Sequence, residues 1–407
     1  MNPNISISHH GTGSQNVAAG NGSQSNLNGF GTQNNYYGFT DPPHFFAYDD
    51  ISLIPSRPSR REEFEIALIC ALPLEYDAVT LQFDEFWDED GEQYGRAPGD
   101  LNTYTTGRIG NYNVVLALLP NMGKAAAAGA AASFRSSYSR LKLAFLVGVC
   151  GGVPGTNSNG ALLGDVAISK TVIQFDFGRQ FLGKFVAKDT IEDNLGRSNK
   201  DIRSLIASFE THFGRKRLKK KAAEYLKNLQ HAAARERYQY TYQYLGVAED
   251  KLFAAGYRHK HRAPQSCLIC ESGSDDYCEM AARVSCADLN CDEDQLVPRE
   301  LLEIKKSLKP EEMQCPEIFI GRIASGDTVM KSGEHRDRLA RENNVIAFEM
   351  EGAGAWDELP CIIIKGICDY ADSHKNKKWQ PFAAATAASV MKAVLGRYTS
   401  ADMPSQV

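Results

Sequence analysis

The sequence contains no run of about 18 consecutive apolar residues, which excludes a membrane-spanning helix. Its first fifteen residues, Met1 to Gln15, lack the charged-then-apolar order of an export signal, so the expectation is a chain that is not exported and works in the cytoplasm. There is no basic excess either. The 45 Lys and Arg against 50 Asp and Glu leave a net charge of −5, which argues against a general nucleic-acid binder. Only 3 Trp occur, but 19 Phe and 17 Tyr in a chain that is 43% hydrophobic exclude wholesale disorder. The 10 cysteines, without a secretion signal, read mostly as reduced thiols. At ~100–200 residues per domain, 407 residues make either two to three domains or one enlarged one.

Residues 1–40 hold no Lys, Arg or Glu and repeat with a period of nine. Gly13, Gly22 and Gly31 mark one phase and Gly20, Gly29 and Gly38 another. Such Asn/Gln-rich tracts either remain a solvated tail or stack as amide ladders and self-assemble. A Pro-rich linker covers 41–63 and includes Pro42, Pro43, Pro55 and Pro58. The globular part begins at Phe64. Apolar runs at Glu65–Leu72, Leu143–Val149, Asp165–Lys170, Glu317–Ile323, Val345–Glu349 and Cys361–Ile367 predict strands. Tyr104–Ile109 and Asn113–Leu119 predict a hairpin around Gly110-Asn111. Leu74–Phe83, Lys124–Tyr138 and Phe382–Tyr398 predict helices. Residues 194–256 read as amphipathic helices, and 257–315 as irregular and Cys-rich. Alternating strands and helices predict an α/β fold.

Carboxylates gather just beyond the strand ends. Glu75 follows the first strand, Glu351 lies in Phe348-Glu349-Met350-Glu351-Gly352, and Asp369 ends Gly366-Ile367-Cys368-Asp369. Ligands of open α/β sheets bind at the carboxyl ends of strands. Acids beside the glycine-rich turn Gly148-Val149-Cys150-Gly151-Gly152 therefore suggest a polyol ligand and acid/base chemistry. Taken singly, each acid is equally explained as a helix cap. Lys365 and Lys170 are further strand-end candidates that no motif supports.

Together these blocks resemble the nucleoside phosphorylase/nucleosidase superfamily, in particular its methylthioadenosine/S-adenosylhomocysteine nucleosidase branch. The blocks are Ile69-Cys70-Ala71-Leu72-Pro73-Leu74-Glu75, Asn121-Met122-Gly123-Lys124, Val147 to Val153, Gly164-Asp165-Val166, Ala324-Ser325-Gly326-Asp327, Phe348 to Ala353, and Gly366 to Asp372. They occur in family order over 64–180 and 316–397. The strings Leu119 to Gly123 and Asp369 to Pro381 look like the fungal version, and the tail resembles repeats ahead of effector domains in fungal immune-type proteins. The resemblance implies a three-layer αβα fold with a mixed central sheet. The catalytic domain would span 64–397, with a large helical insert at 181–314 and the low-complexity tail in front.

The resemblance also implies roles. Met350 and Glu351 would hold ribose, with Val149, Gly151, Val329, Phe348 and Cys368 completing the substrate surface. Asp369 would protonate purine N7 as the sugar becomes oxocarbenium-like, which requires a proton retained through burial. Glu75 would activate water. Leu146 and Val149 replace the Arg and Ser with which hexameric phosphorylases hold phosphate, and a carboxylate at the first strand end repels that anion. Hydrolysis is favoured over phosphorolysis; a non-catalytic nucleotide sensor or assembly module is the third reading.

The partner expected is a small purine nucleoside or nucleotide, with no nucleic acid and no membrane, in a homo-oligomer. The basic residues Arg215, Lys216, Arg217, Arg258 and Lys260 are candidate phosphate ligands, or else a solvated face. With the fungal look of the chain they lead to ATP as the substrate and to a role in antiviral, innate-immune defence. No cofactor and no catalytic metal is expected. Cys267-x2-Cys270 with Cys278, Cys286 and Cys291 would either bind a structural zinc or remain free thiols. The loop carrying His374, Lys375, Lys377 and Lys378 reads as solvated or as a gate.

Overall fold

In chain order the strands are β1 (Ile66–Cys70), β2 (Glu85–Phe86), β3 (Tyr104–Ile109), β4 (Tyr112–Leu118), β5 (Leu143–Gly152), β6 (Val166–Gln174), β7 (Gly178–Phe181), β8 (Lys184–Ala187), β9 (Ile318–Ser325), β10 (Val345–Glu349) and β11 (Cys361–Asp369). The helices are α1 (Pro73–Thr80), α2 (Lys124–Ser137), α3 (Lys200–Glu210), α4 (His212–Glu236), α5 (Leu268–Glu271), α6 (Glu300–Lys306), α7 (Pro310–Met313), α8 (Gly333–Asn343), α9 (Gly352–Glu358) and α10 (Gln380–Leu395). This computed structural model describes residues 57–89, 91, 94–155, 160–188, 190, 192–262, 267–271 and 278–399. The repeat tail 1–40 and most of the linker lie outside them. All described residues belong to the unit Leu53–Val407.

Nine strands form one mixed sheet in the order β10-β9-β6-β11-β5-β1-β4-β3-β2. Every residue of β1 and of β11 is buried, which explains why both read as unbroken apolar runs rather than alternating ones. β1 and β11 run parallel to β5, so their carboxyl ends open on the same edge of the sheet. β10 pairs with β9 and also, antiparallel, with the far end of β5, where Phe348 lies opposite Gly151. That second pairing brings the Glu349–Glu351 segment to the ends of β1, β5 and β11.

Helices flank the sheet. α10 is Ala-rich, almost wholly buried and packs on β11, β5 and α4. It comes so close that a Cβ on Gly366 would lie 1.9 Å from the Ala383 carbonyl oxygen; only glycine admits that approach. α4 presents Leu218, Ala222, Leu226, Leu229 and Ala233 as a buried stripe at helical spacing, and the stripe joins the main core. The helical part of 181–314 therefore completes the core instead of forming a body apart.

Two expectations change. The departure from the sheet begins where β6 ends at Gln174, because β7 and β8 form an exposed hairpin that position 181 would cut in two. Residues 237–256 are not helical beyond a single turn at Val247–Glu249. Arg237 and Tyr242 take positive φ, and the buried Gln230 amide donates to the Tyr242 carbonyl at 2.9 Å. A side chain thus satisfies backbone that a helix would have paired internally. No helix among the described residues is long and apolar enough to cross a membrane.

Candidate active site

A cavity of about 380 Å³ opens at the carboxyl ends of β1, β5, β10 and β11. Glu75, Val149, Gly151, Val329, Phe348, Met350, Glu351, Cys368 and Asp369 all line it. These are the nine catalytic and substrate-contacting residues expected from the strand-end acids and the family resemblance. Leu146, by contrast, is core.

Glu75 is placed by α1, which starts at Pro73 directly after β1. One carboxylate oxygen accepts from the Ala71 and Leu72 amides, both at 2.9 Å. The other accepts from the Val149 amide at 2.7 Å. Gly148 makes this reach possible, since a Cβ there would sit 2.3 Å from Glu75 Oε1. Burial pushes the Glu75 carboxyl above its ordinary range; Lys365 counters part of that and Glu351 adds to it.

Lys365 organises the floor of the site. It is 1% exposed and lies midway along β11. Its ammonium donates to Glu351 Oε2 at 2.9 Å and lies 3.8 Å from Glu349 Oε2. Burial disfavours its charge, but Glu351, Glu75 and Glu349 outweigh burial and hold the ammonium above its ordinary value. Glu349 accepts from the Glu351 and Gly352 amides, which ties the β10–α9 turn to the sheet. Burial raises its carboxyl to about 7, against the pull of Lys365. Neither Glu349 nor Lys365 belonged to the motif-derived set. The signal in the sequence was a lone Lys within the otherwise apolar run Cys361–Ile367. Lys170, its companion candidate, instead pairs on the surface with Glu210 at 2.7 Å.

Asp369 ends β11. Its Oδ1 accepts from the Ala371 amide at 2.9 Å, and its Oδ2 lies 3.1 Å from the Lys375 ammonium. Burial works against the Lys375 charge, but Asp369, Cys368 and Asp372 hold it above its usual value. Lys375, Lys377 and Lys331 all line the cavity.

The basic residues expected to hold phosphate are elsewhere. Arg215, Lys216 and Arg217 are exposed near the start of α4, whose opposite stripe is committed to the core. Arg258 and Lys260 do not line the cavity either. Cationic groups reach the pocket from Lys331, Lys375 and Lys377 instead.

The motif blocks also meet in space. Asp327 caps α2 by accepting from the Lys124 amide at 2.8 Å, and the Lys124 ammonium pairs with Asp176 at 2.6 Å. Two separate family-like strings, around Lys124 and Asp327, are thus one contact, and Met122, two residues before Lys124, lines the cavity.

The sequence model of the Phosphorylase superfamily matches residues 65–252. A nucleotide-binding leucine-rich repeat (NLR)-like protein of Hyaloscypha variabilis is 33% identical over 348 residues. The match covers 83% of this chain and 30% of that protein, so the chain spans about a third of its relative's length. Among solved structures, the 5′-methylthioadenosine/S-adenosylhomocysteine nucleosidase of Helicobacter pylori is similar at 14% identity and a TM-score of 0.46, with 82% of this chain and 98% of that one covered. The futalosine hydrolase of the same organism gives 16% identity and 0.46, over 82% and 98%. A Colwellia psychrerythraea nucleosidase in complex with adenine gives 16% and 0.46, over 83% and 96%.

Proposed function

We propose, for a chain whose residues 65–252 belong to the phosphorylase superfamily, that it is an N-glycosidase that hydrolyses purine nucleosides or nucleotides. One observation carries the reading. A water-side carboxylate, a ribose-side carboxylate and an acid, namely Glu75, Glu351 and Asp369, line one cavity of about 380 Å³. Glu75 takes a proton from water as the water oxygen bonds to C1′. Glu351, oriented by Lys365, accepts from the 2′- and 3′-hydroxyls. Asp369 gives its proton to N7 as the bond from C1′ to the base breaks, so the base departs neutral. Carboxylates crowding the C1′ side repel inorganic phosphate, which supports hydrolysis over phosphorolysis.

The finer part of the proposal is an adenine nucleotide such as ATP. Lys331, Lys375 and Lys377 line the same cavity and suit a 5′-polyphosphate. The likeness to an NLR-like protein supports a place for this domain as an effector within a longer immune-type chain. The test is incubation with ATP, adenosine and methylthioadenosine, with and without phosphate, and identification of products by mass. Free adenine and ribose triphosphate without phosphate are expected. Base release only with phosphate would establish a phosphorylase. ATP binding without turnover would establish a nucleotide sensor.

A pH prediction follows from Glu75. As a base it must be ionised, so turnover rises with pH as it loses its proton. Its carboxyl lies above the ordinary range, so the acid limb of kcat should lie above that of a solvent-exposed Glu. Glu75→Gln should cost about 10²–10⁴ in rate and abolish that limb. A limb that persists unchanged in the variant assigns it to another group.

A further inference from the structure

Five cysteines of the insert and three histidines form two separate clusters. In the first, Cys267 and Cys270 Sγ each lie 3.5 Å from His261 Nδ1, Cys278 Sγ lies 3.7 Å from it, and Cys267 and Cys278 are 3.8 Å apart. Bonded sulfurs would be about 2.05 Å apart. A tetrahedral zinc with Zn–S of about 2.3 Å and Zn–N of about 2.0 Å spaces its ligands by roughly 3.5–3.8 Å. The four distances of the first cluster all fall in that range. The Ala281 amide donates to Cys278 Sγ at 3.5 Å, as suits a thiolate.

In the second cluster, Cys291 and Cys286 Sγ lie 3.5 and 3.7 Å from His259 Nδ1. His374 joins His259 and Cys291 with ligand atoms within 4.8 Å of one another. The His259 Nε2 faces the Val284 carbonyl at 2.9 Å, which turns Nδ1 toward the sulfurs. His374 has a side chain only 3% exposed, and neither of its ring nitrogens has a hydrogen-bond partner. A buried imidazole with both nitrogens unpaired is costly, and a cation at this cluster would take up one of the two. Arg262 Nη1 lies 3.9 Å from Cys291 Sγ, where it offsets thiolate charge.

We infer that this chain holds two structural zinc ions. One is bound by His261, Cys267, Cys270 and Cys278, the other by His259, Cys286, Cys291 and His374. Closed sets of three thiolates with one imidazole, and of two with two, select zinc among common metals. His259 and His261, two positions apart, serve different ions. The second ion fastens the insert to the loop after β11. His374 precedes Lys375, whose ammonium is 3.1 Å from Asp369, and the His259 amide donates to Ser373 at 3.1 Å. Neither ion touches the reacting atoms. Both stabilise the cavity wall, to which Ala282 contributes.

The inference stands apart from the nucleosidase reading, because its test reads metal rather than turnover. Full-length protein, purified without chelator or polyhistidine tag, should carry about two zinc ions per chain by elemental analysis. X-ray absorption should show a shell shared between five sulfurs and three nitrogens over the two ions. Cys267→Ser and His374→Ala should each lower the content to about one. If either variant fails to fold, the wild-type content and shell still decide. Folded wild-type protein free of zinc, or a shell without sulfur, overturns the inference. So does a content of one that His374→Ala leaves unchanged.

Discussion

Asp369→Asn should lower kcat by about 10²–10⁴, the usual contribution of a positioned acid, in a protein that still folds but melts lower, because the Lys375 ammonium loses its carboxylate partner. Asparagine retains the oxygen that accepts from the Ala371 amide, so the end of β11 keeps its local hydrogen bond. What it cannot do is deliver a proton to a departing base. A nucleoside whose base leaves without protonation separates the two roles. Both enzymes should cleave it at similar rates if Asp369 is the acid. A loss of equal size on that substrate would make Asp369 a positioning group, and unchanged turnover on purines would remove it from the mechanism.

Lys365→Met should have the largest effect on stability. The substitution leaves Glu75, Glu349 and Glu351 buried together without their shared cation. Removing one partner from a buried ion pair costs about 3–5 kcal/mol, a large share of the ~5–15 kcal/mol that holds a domain folded. Turnover should fail as well, because Glu351 loses the group that orients it. Adding Glu351→Gln removes one of the uncompensated charges and should recover part of the melting temperature but none of the activity. That divergence between stability and turnover is the diagnostic result. A single variant that melts like the wild type would show that water already compensates these carboxylates.

Much of this was readable from the chain. β1, β5 and β11 appear as apolar runs because both of their faces are buried, so burial itself writes the pattern. Glu75, Glu351 and Asp369 were legible because they lie just beyond strand ends, whereas Val149, Gly151, Val329, Phe348, Met350 and Cys368 came from the family resemblance. Lys365 was a candidate without a role, because its importance lies in three acids that only the fold assembles around it, and no local spacing records that. The basic cluster at Arg215–Arg217, open between phosphate ligands and a solvated face, could not be decided for the converse reason. Charge on a helix is visible in sequence, but the direction the helix faces depends on its apolar stripe, and here Leu218 and Leu226 turn the cluster outward. The hairpin Gly178–Ala187 was missed because its exposed residues do not alternate. The division of the insert cysteines was out of reach as well. His259 and His261 are near neighbours that part company, and His374 comes from the far side of β9, β10 and β11.

The double pairing of β10 has a further consequence. In the order of strands β10 looks like a terminal strand with an open rim, but it turns back onto β5. At the other rim of this nine-stranded sheet lies β2, two residues long, with Glu85 paired to Arg108 of β3. Short, charged rims resist the strand-to-strand adhesion that leads to aggregation. Among the described residues, these two rims of the sheet thus offer little template on which another copy could extend it. Were such chains to gather, contact through helical faces or through segments outside the sheet would be favoured over strand addition to it.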